Sequence, residues 1–353
     1  MLKINIKKYS IMKKIIIIGA GAMGSAFSVP CIENKNDVTL VGTHLEDDLI
    51  NNIKSKNNLH PVLKTELPSQ LKVEKYERLK TILEKGVDII VAGISSIGIE
   101  WFVNQIEKNY KKNLPIILLA KGLAIEDNEL TLLSDKIKKL LKKNGHNEVN
   151  VSAIKGPCLA AGLANKMRTG TVIANPDIKE AEELKKIIST DYYSTEISDD
   201  LTGVELSGAI KNIYSMLIGA SEGLSNSKAS KEIQSKYYLN TSASLIHRSI
   251  SEMVEFVSFY GGKSETVYGL AGLGDLYVSA IGGRNSLMGK YLGEGYFYKT
   301  AKEKFMKNIT VEGAQLALEI GSKILQDLNP KHFPLMFSML NTICENKKLE
   351  INW

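Results

Sequence analysis

The sequence predicts an α/β protein, with a doubly wound, mostly parallel sheet of the Rossmann type at the N-terminus and an all-α domain behind it. Three observations carry that expectation. A β-branched run over 14–19 opens directly into Gly19-Ala20-Gly21-Ala22-Met23-Gly24 and a small-residue helical stretch over 25–31, the strand, glycine turn, helix order of a dinucleotide fold. Strand-sized apolar runs at 38–41, 87–92, 115–120, 151–154 and 171–174 alternate with polar or amphipathic stretches, as parallel βα units do. From about residue 200 the pattern turns to long helical periodicities at 201–223, 242–260 and 314–325, without further strand-like runs.

At 353 residues the chain exceeds what one core usually holds, so two domains are expected. The polar stretch 191–200 reads as the boundary. It divides a dinucleotide-binding domain, 12–195, from a helical substrate-binding domain, 196–353. Residues 1–11 lack the apolar core and small-residue cleavage site of a signal peptide. They read as a disordered leader ahead of Met12. The stretch 225–236 is rich in Ser and Lys and reads as a surface loop.

A net charge of +6 is small for this length, and the lysines of 136–143 fall along a helical pattern. Solvated helix faces explain them without nucleic acid, while a modest positive field suits an anionic small molecule. Cys31, Cys158 and Cys344 are widely spaced, with no CxxC or Cys/His ligand spacing. Neither a disulfide framework nor a metal site is expected, and a reducing cytoplasm fits. The longest apolar runs are strand-sized, far from the roughly 20 residues of a membrane span.

In the glycine turn, Gly19 permits the tight bend, Gly21 lets backbone approach a pyrophosphate, and Gly24 lets the helix pack on the strand. The phosphates would then sit on the helix N-terminus. An acid ending the second strand selects NAD and a base accommodates NADP. That strand ends Val41-Gly42-Thr43-His44, with Glu46, Asp47 and Asp48 only beyond it. NADPH is therefore favoured over NADH, with His44 read as a 2′-phosphate contact or an ordinary surface histidine.

Hydride delivery to a carbonyl builds negative charge on its oxygen, so a proton donor must stand there, and an anionic substrate needs cations at its other end. Lys121-Gly122, Gly156-Pro157-Cys158, Lys211-Asn212, Gly274-Asp275 and Gly282-Gly283-Arg284-Asn285 could supply these groups. In this order and spacing, with the glycine turn and the run Gly269-Leu-Ala-Gly-Leu-Gly-Asp275, they resemble the bacterial type of glycerol-3-phosphate dehydrogenase over nearly the whole chain from Met12.

The resemblance implies reduction of dihydroxyacetone phosphate to sn-glycerol 3-phosphate, the backbone of phospholipids, with Lys211 as general acid/base. Lys121 would lie against substrate and cofactor, and Asn212 and Asp275 would orient the lysine and the substrate hydroxyls. Gly156, Cys158, Gly283, Arg284 and Asn285 would complete the substrate site. Gly19, Gly21, Ala22, Met23, Gly24, Thr43, His44, Lys121, Ala160, Arg284 and Glu312 would meet the cofactor. The blander readings are a solvated helix lysine for Lys211, turn or capping roles for Asn212 and Asp275, a solvated loop for Arg284, and a first-turn helix carboxylate for Glu312. A homodimer through the helical domain is expected. Three positions depart from the family: Cys158 stands where Ser is usual, Gly162 where Glu is usual, and Met23 where an aromatic is common. A dehydrogenase for another hydroxy acid or polyol phosphate, and a nicotinamide-binding sensor without turnover, are the alternatives.

Overall fold

The computed structural model describes residues 12–225, 230, 232–233 and 238–351. The leader expected at 1–11 lies outside them, as does most of the loop expected at 225–236.

The first strand, β1 (Lys14–Ile18), shows why the sheet is buried on both faces. Ile15 and Ile17 pack into one apolar core, Ile16 and Ile18 into another, because successive side chains of a strand point to opposite faces. The other strands of its sheet are β2 (Asp37–Val41), β3 (Lys72–Glu74), β4 (Ile89–Ala92), β5 (Ile116–Leu118), β6 (Val151–Lys155), β7 (Thr169–Ala174) and β8 (Tyr193–Ser198). They form one sheet in the order β8-β7-β6-β5-β4-β1-β2-β3. Every neighbouring pair is parallel except β6 and β7. After β3 the chain crosses to the other side of β1 to lay down β4. The crevice outside the carboxyl ends of β1 and β4 is thus the topological switch point, where such sheets bind ligands.

Two strands of this sheet were not legible as such. β3 is short, and β8 fills the stretch expected to be a polar linker. In Tyr193-Ser-Thr-Glu-Ile-Ser198, Tyr193 and Thr195 are buried while Ser194 and Glu196 are exposed, the alternation of an edge strand with one wet face. The sheet therefore runs through residues 195 and 196 to Ser198. A further hairpin, Leu123–Glu126 with Glu129–Leu132, leaves the end of β5, and its Leu123 and Leu132 pack in the core of the helical half.

Helix α1 (Ala22–Glu33) follows the glycine turn and α2 (Asp47–Ser55) follows β2. The helical half is built around α3 (Leu201–Gly219), buried along nearly its whole length. Asp200 starts it, its Oδ1 accepting from the Gly203 amide at 2.9 Å, a side-chain N-cap. Around α3 pack α4 (Leu239–Phe259), α5 (Asp275–Ile281), α6 (Arg284–Gly293), α7 (Glu312–Asp327) and α8 (Pro334–Cys344). A Cβ on Gly289 of α6 would lie 1.9 Å from the Met216 carbonyl oxygen, and one on Gly313 of α7 would lie 2.3 Å from that of Asn212. Glycine thus lets two helices touch the backbone of α3. Among the described residues no helix is long and apolar enough to cross a membrane.

Candidate active site

At the carboxyl end of β1 the chain bends at Gly19, whose φ of +110° is a region that only glycine adopts without strain. A Cβ on Gly24 would lie 2.2 Å from the Gly19 carbonyl oxygen, so the missing side chain is what seats α1 on the turn. Gly21 differs. A Cβ there would meet nothing but the Glu46 carboxylate, at 3.8 Å, and Gly21 caps α1 without any side-chain hydrogen bond. Bare backbone at a helix start is what a pyrophosphate requires, so the turn fits a dinucleotide. Ala22, Met23, Cys158 and Ala160 lie half-buried along the same face of the sheet.

Glu46, which the sequence sets beyond the end of β2, is folded back over it. Glu46 Oε2 accepts hydrogen bonds from the Ala20 amide at 3.0 Å and the Thr43 amide at 2.8 Å. A turn in which the Glu46 amide donates to the Thr43 carbonyl at 3.0 Å brings the side chain back over the glycine turn. The signal was present as Thr43-x-x-Glu46, the spacing at which a glutamate reaches back to an amide three residues earlier. His44 is exposed, and its ring packs with Tyr76 and Trp101 at centroid distances of 6.1 and 5.2 Å. Buried His60, absent from the sequence expectations, holds the other side of the Ala20 peptide. Its Nδ1 accepts from the Val62 and Leu63 amides, both at 3.2 Å, which leaves Nε2–H to donate to the Ala20 carbonyl at 3.1 Å.

A second group of residues assembles where the sheet meets the helical half. Lys121 follows β5, Lys211 lies in the middle of α3, and Asp275 opens α5. The Asp275 carboxylate spans the two amines: Oδ2 accepts from Lys121 Nζ at 2.6 Å and Oδ1 from Lys211 Nζ at 2.8 Å. Lys121 also donates to the Gly156 carbonyl at 3.3 Å. Lys211 also donates to Ser279, one turn past Asp275 on α5. Ser279 carried no signal in the sequence. Lys211 is 3% exposed and Asp275 2%, which removes the solvated-lysine alternative.

The two amines differ in how firmly they hold a proton. Burial above all, then the Lys121 charge, bring Lys211 down to about 8, against the pull of Asp275. Burial also opposes the Lys121 ammonium, but Asp275, with Glu312 and Cys158 behind it, holds that amine above the ordinary lysine value. One carboxylate thus keeps one ammonium and leaves its neighbour poised to give or take a proton. The Cys158 thiol is pushed up to about 11 by burial, which makes it a packing group rather than a nucleophile.

Next to this pair, Asn285 of α6 donates to Asn212 Oδ1 at 2.9 Å and accepts from the Gly313 amide at 2.9 Å, both asparagines being buried. Arg284, at the start of α6 behind Gly283, is half exposed and pairs with Glu312 of α7 at 2.6 Å. Lys155 at the end of β6 went unnoticed in the sequence. It is fully buried, its stem lies against Gly208 of α3, and its Nζ reaches the Leu118 carbonyl at 3.4 Å. Among the described residues no cluster of His, Cys, Asp or Glu could hold a metal ion.

The family described as NAD-dependent glycerol-3-phosphate dehydrogenase N-terminus matches residues 14–181, and its C-terminus counterpart matches 200–351. An NADP(+)-dependent glycerol-3-phosphate dehydrogenase of Archaeoglobus fulgidus is 33% identical, covering 95% of this chain and 96% of that protein. A glycerol-3-phosphate dehydrogenase [NAD(P)+] of Mesoplasma florum is 33% identical over 93% of each. The crystal structure of glycerol-3-phosphate dehydrogenase from Coxiella burnetii superposes with a TM-score of 0.78 at 27% identity, covering 96% of both chains.

Proposed function

The chain belongs to the NAD-dependent glycerol-3-phosphate dehydrogenase family, and from that premise we propose that Lys211 is the acid/base of the reaction, held by Asp275 against the Lys121 ammonium. The protein is an NAD(P)-dependent oxidoreductase that interconverts dihydroxyacetone phosphate and sn-glycerol 3-phosphate. The observation that carries the site reading is the Asp275 carboxylate bonded at once to an amine from the sheet half and an amine from the helical half.

In this reading the sheet half, through Ser198, holds the dinucleotide and the helices hold the substrate. The bound nicotinamide supplies the hydride in reduction and takes it in oxidation. Lys211 protonates the carbonyl oxygen of dihydroxyacetone phosphate, and in the opposite direction removes the hydroxyl proton of glycerol 3-phosphate. Lys121, fixed as an ammonium by Asp275, stabilises negative charge on that oxygen. Arg284 exchanges or shares its Glu312 partner to grip the phosphoryl group as a charged fork, with Asn285 and Asn212 beside it. Gly19, Gly21 and Gly24 receive the pyrophosphate, flanked by Ala22, Met23 and Ala160. A homodimer formed through the helical half, where Phe259, Tyr277 and Ile281 stay more than half exposed, belongs to the same reading. The preference for NADPH rested on an end of β2 free of carboxylate; with Glu46 over that end, NADH is the better fit.

The test is the absorbance of reduced nicotinamide followed with dihydroxyacetone phosphate. Wild type turns over with the phosphorylated ketone. Arg284→Ala raises its KM by roughly tenfold or more, the worth of a lost charge-assisted contact. The KM for unphosphorylated dihydroxyacetone stays within about threefold. Equal losses on both ketones would remove Arg284 from the phosphate site.

The charge state of Lys211 sets a pH dependence of opposite sign in the two directions. Oxidation of glycerol 3-phosphate needs the neutral amine, so its kcat/KM climbs with pH and levels off above about 8; reduction needs the ammonium and falls above the same point. Parallel pH profiles of kcat/KM in both directions check this, and two bends of the same sign contradict it.

A further inference from the structure

We infer that Glu46 selects between nicotinamide dinucleotides at the adenosine 2′ position, its carboxylate, fixed on the Ala20 and Thr43 amides, accepting a 2′-hydroxyl and rejecting a 2′-phosphate. The inference rests on the reading of the glycine turn as the dinucleotide site.

The carboxylate is built into the turn from two sides. One oxygen bridges residues that are 23 apart in sequence but adjacent in space, Ala20 at the end of β1 and Thr43 at the end of β2, at 3.0 and 2.8 Å. The other oxygen faces the bare side of Gly21, 3.8 Å from where a Cβ would stand. The Ala20 peptide beneath it is held in turn by His60 on its carbonyl, at 3.1 Å. The carboxylate is therefore a fixed part of the surface on which a dinucleotide lies, at the end of β2 where the adenosine ribose is read in this fold.

The charges around it point the same way. Among the described residues no lysine or arginine forms an ion pair with Glu46, while Asp47 and Asp48 follow it in the first turn of α2. His44 packs into an aromatic group with Tyr76 and Trp101. A ribose diol can donate to a carboxylate, which accepts and never donates while ionised. A 2′-phosphate brings a charge of about −1.5 to −2, which meets the like charge of the Glu46 carboxylate here. The polarity of the site thus suits NAD.

Calorimetric titration with ADP-ribose and with 2′-phospho-ADP-ribose, which lack the nicotinamide, reads the selection without turnover. Wild type is expected to bind ADP-ribose at least tenfold more tightly than the phosphorylated fragment. In Glu46→Gln, and in Glu46→Ser as a second variant, that ratio is expected to shrink by about tenfold or more. The ratio of two affinities is independent of the fraction of protein that is folded, so partial loss of stability does not mimic the result. Equal affinities in wild type, or a ratio that neither substitution moves, overturns the role of Glu46. Wild type that binds neither fragment, yet reduces dihydroxyacetone phosphate, overturns the reading of the glycine turn and this inference with it.

Discussion

Lys211→Ala is expected to lose turnover by two to four orders of magnitude, the range in which a positioned acid/base contributes, while keeping its affinity for the reduced dinucleotide. The expectation follows from where the residue stands. Its nitrogen bonds Asp275 and Ser279 on α5, whereas the glycine turn lies on the sheet and draws nothing from α3. Removal of the amine leaves Asp275 still paired with Lys121 at 2.6 Å, so no buried carboxylate is left without a partner. The fold should survive for the same reason. Single-turnover kinetics with fluorescence quenching of the bound dinucleotide separate the two quantities. Turnover within a few-fold of wild type would mean that another group moves the proton.

Gly24→Ala should have the second largest effect, and it acts on binding and stability together. The new methyl group would stand 2.2 Å from the Gly19 carbonyl oxygen, a backbone atom that cannot swing aside. Either α1 lifts from the turn or the turn opens, and both displace the amides at the helix start. Overpacking of this kind destabilises by about 1–3 kcal/mol, a fall in Tm of roughly 2–10 °C for a domain of this size. The affinity for ADP-ribose should fall tenfold or more, since the anion site is the part that moves. Calorimetry and a thermal melt measure both, and an unchanged Tm with unchanged affinity would show that the turn has room the packing denies.

What could be read from the sequence was what depends on local pattern. The isoleucines of β1, the glycine turn and the small-residue helix around Lys211 announce themselves, because burial on two faces, a positive φ and close helix packing each demand particular residue types. The resemblance then nominated Lys121, Lys211 and Asp275, which the fold brings onto one carboxylate, and Asn212 and Asn285, which it bonds to each other. The losses share a cause, which is that their meaning is tertiary. Tyr193–Ser198 looks like a linker because only alternate residues are buried, and an edge strand has one partner to declare it. Glu46 seemed to fall too far beyond β2, until the turn at Thr43 carried it back. His60, Lys155 and Ser279 are ordinary in sequence and become informative only through what surrounds them.

The hairpin that leaves the end of β5 has a mechanical consequence. Lys121 sits between a strand locked in the sheet and a loop whose Leu123 and Leu132 are embedded among the helices, so the polypeptide itself is riveted to both bodies on either side of that one amine. The main chain itself therefore holds Lys121 in register with Lys211 and Asp275, and any relative movement of the two halves must respect that tether.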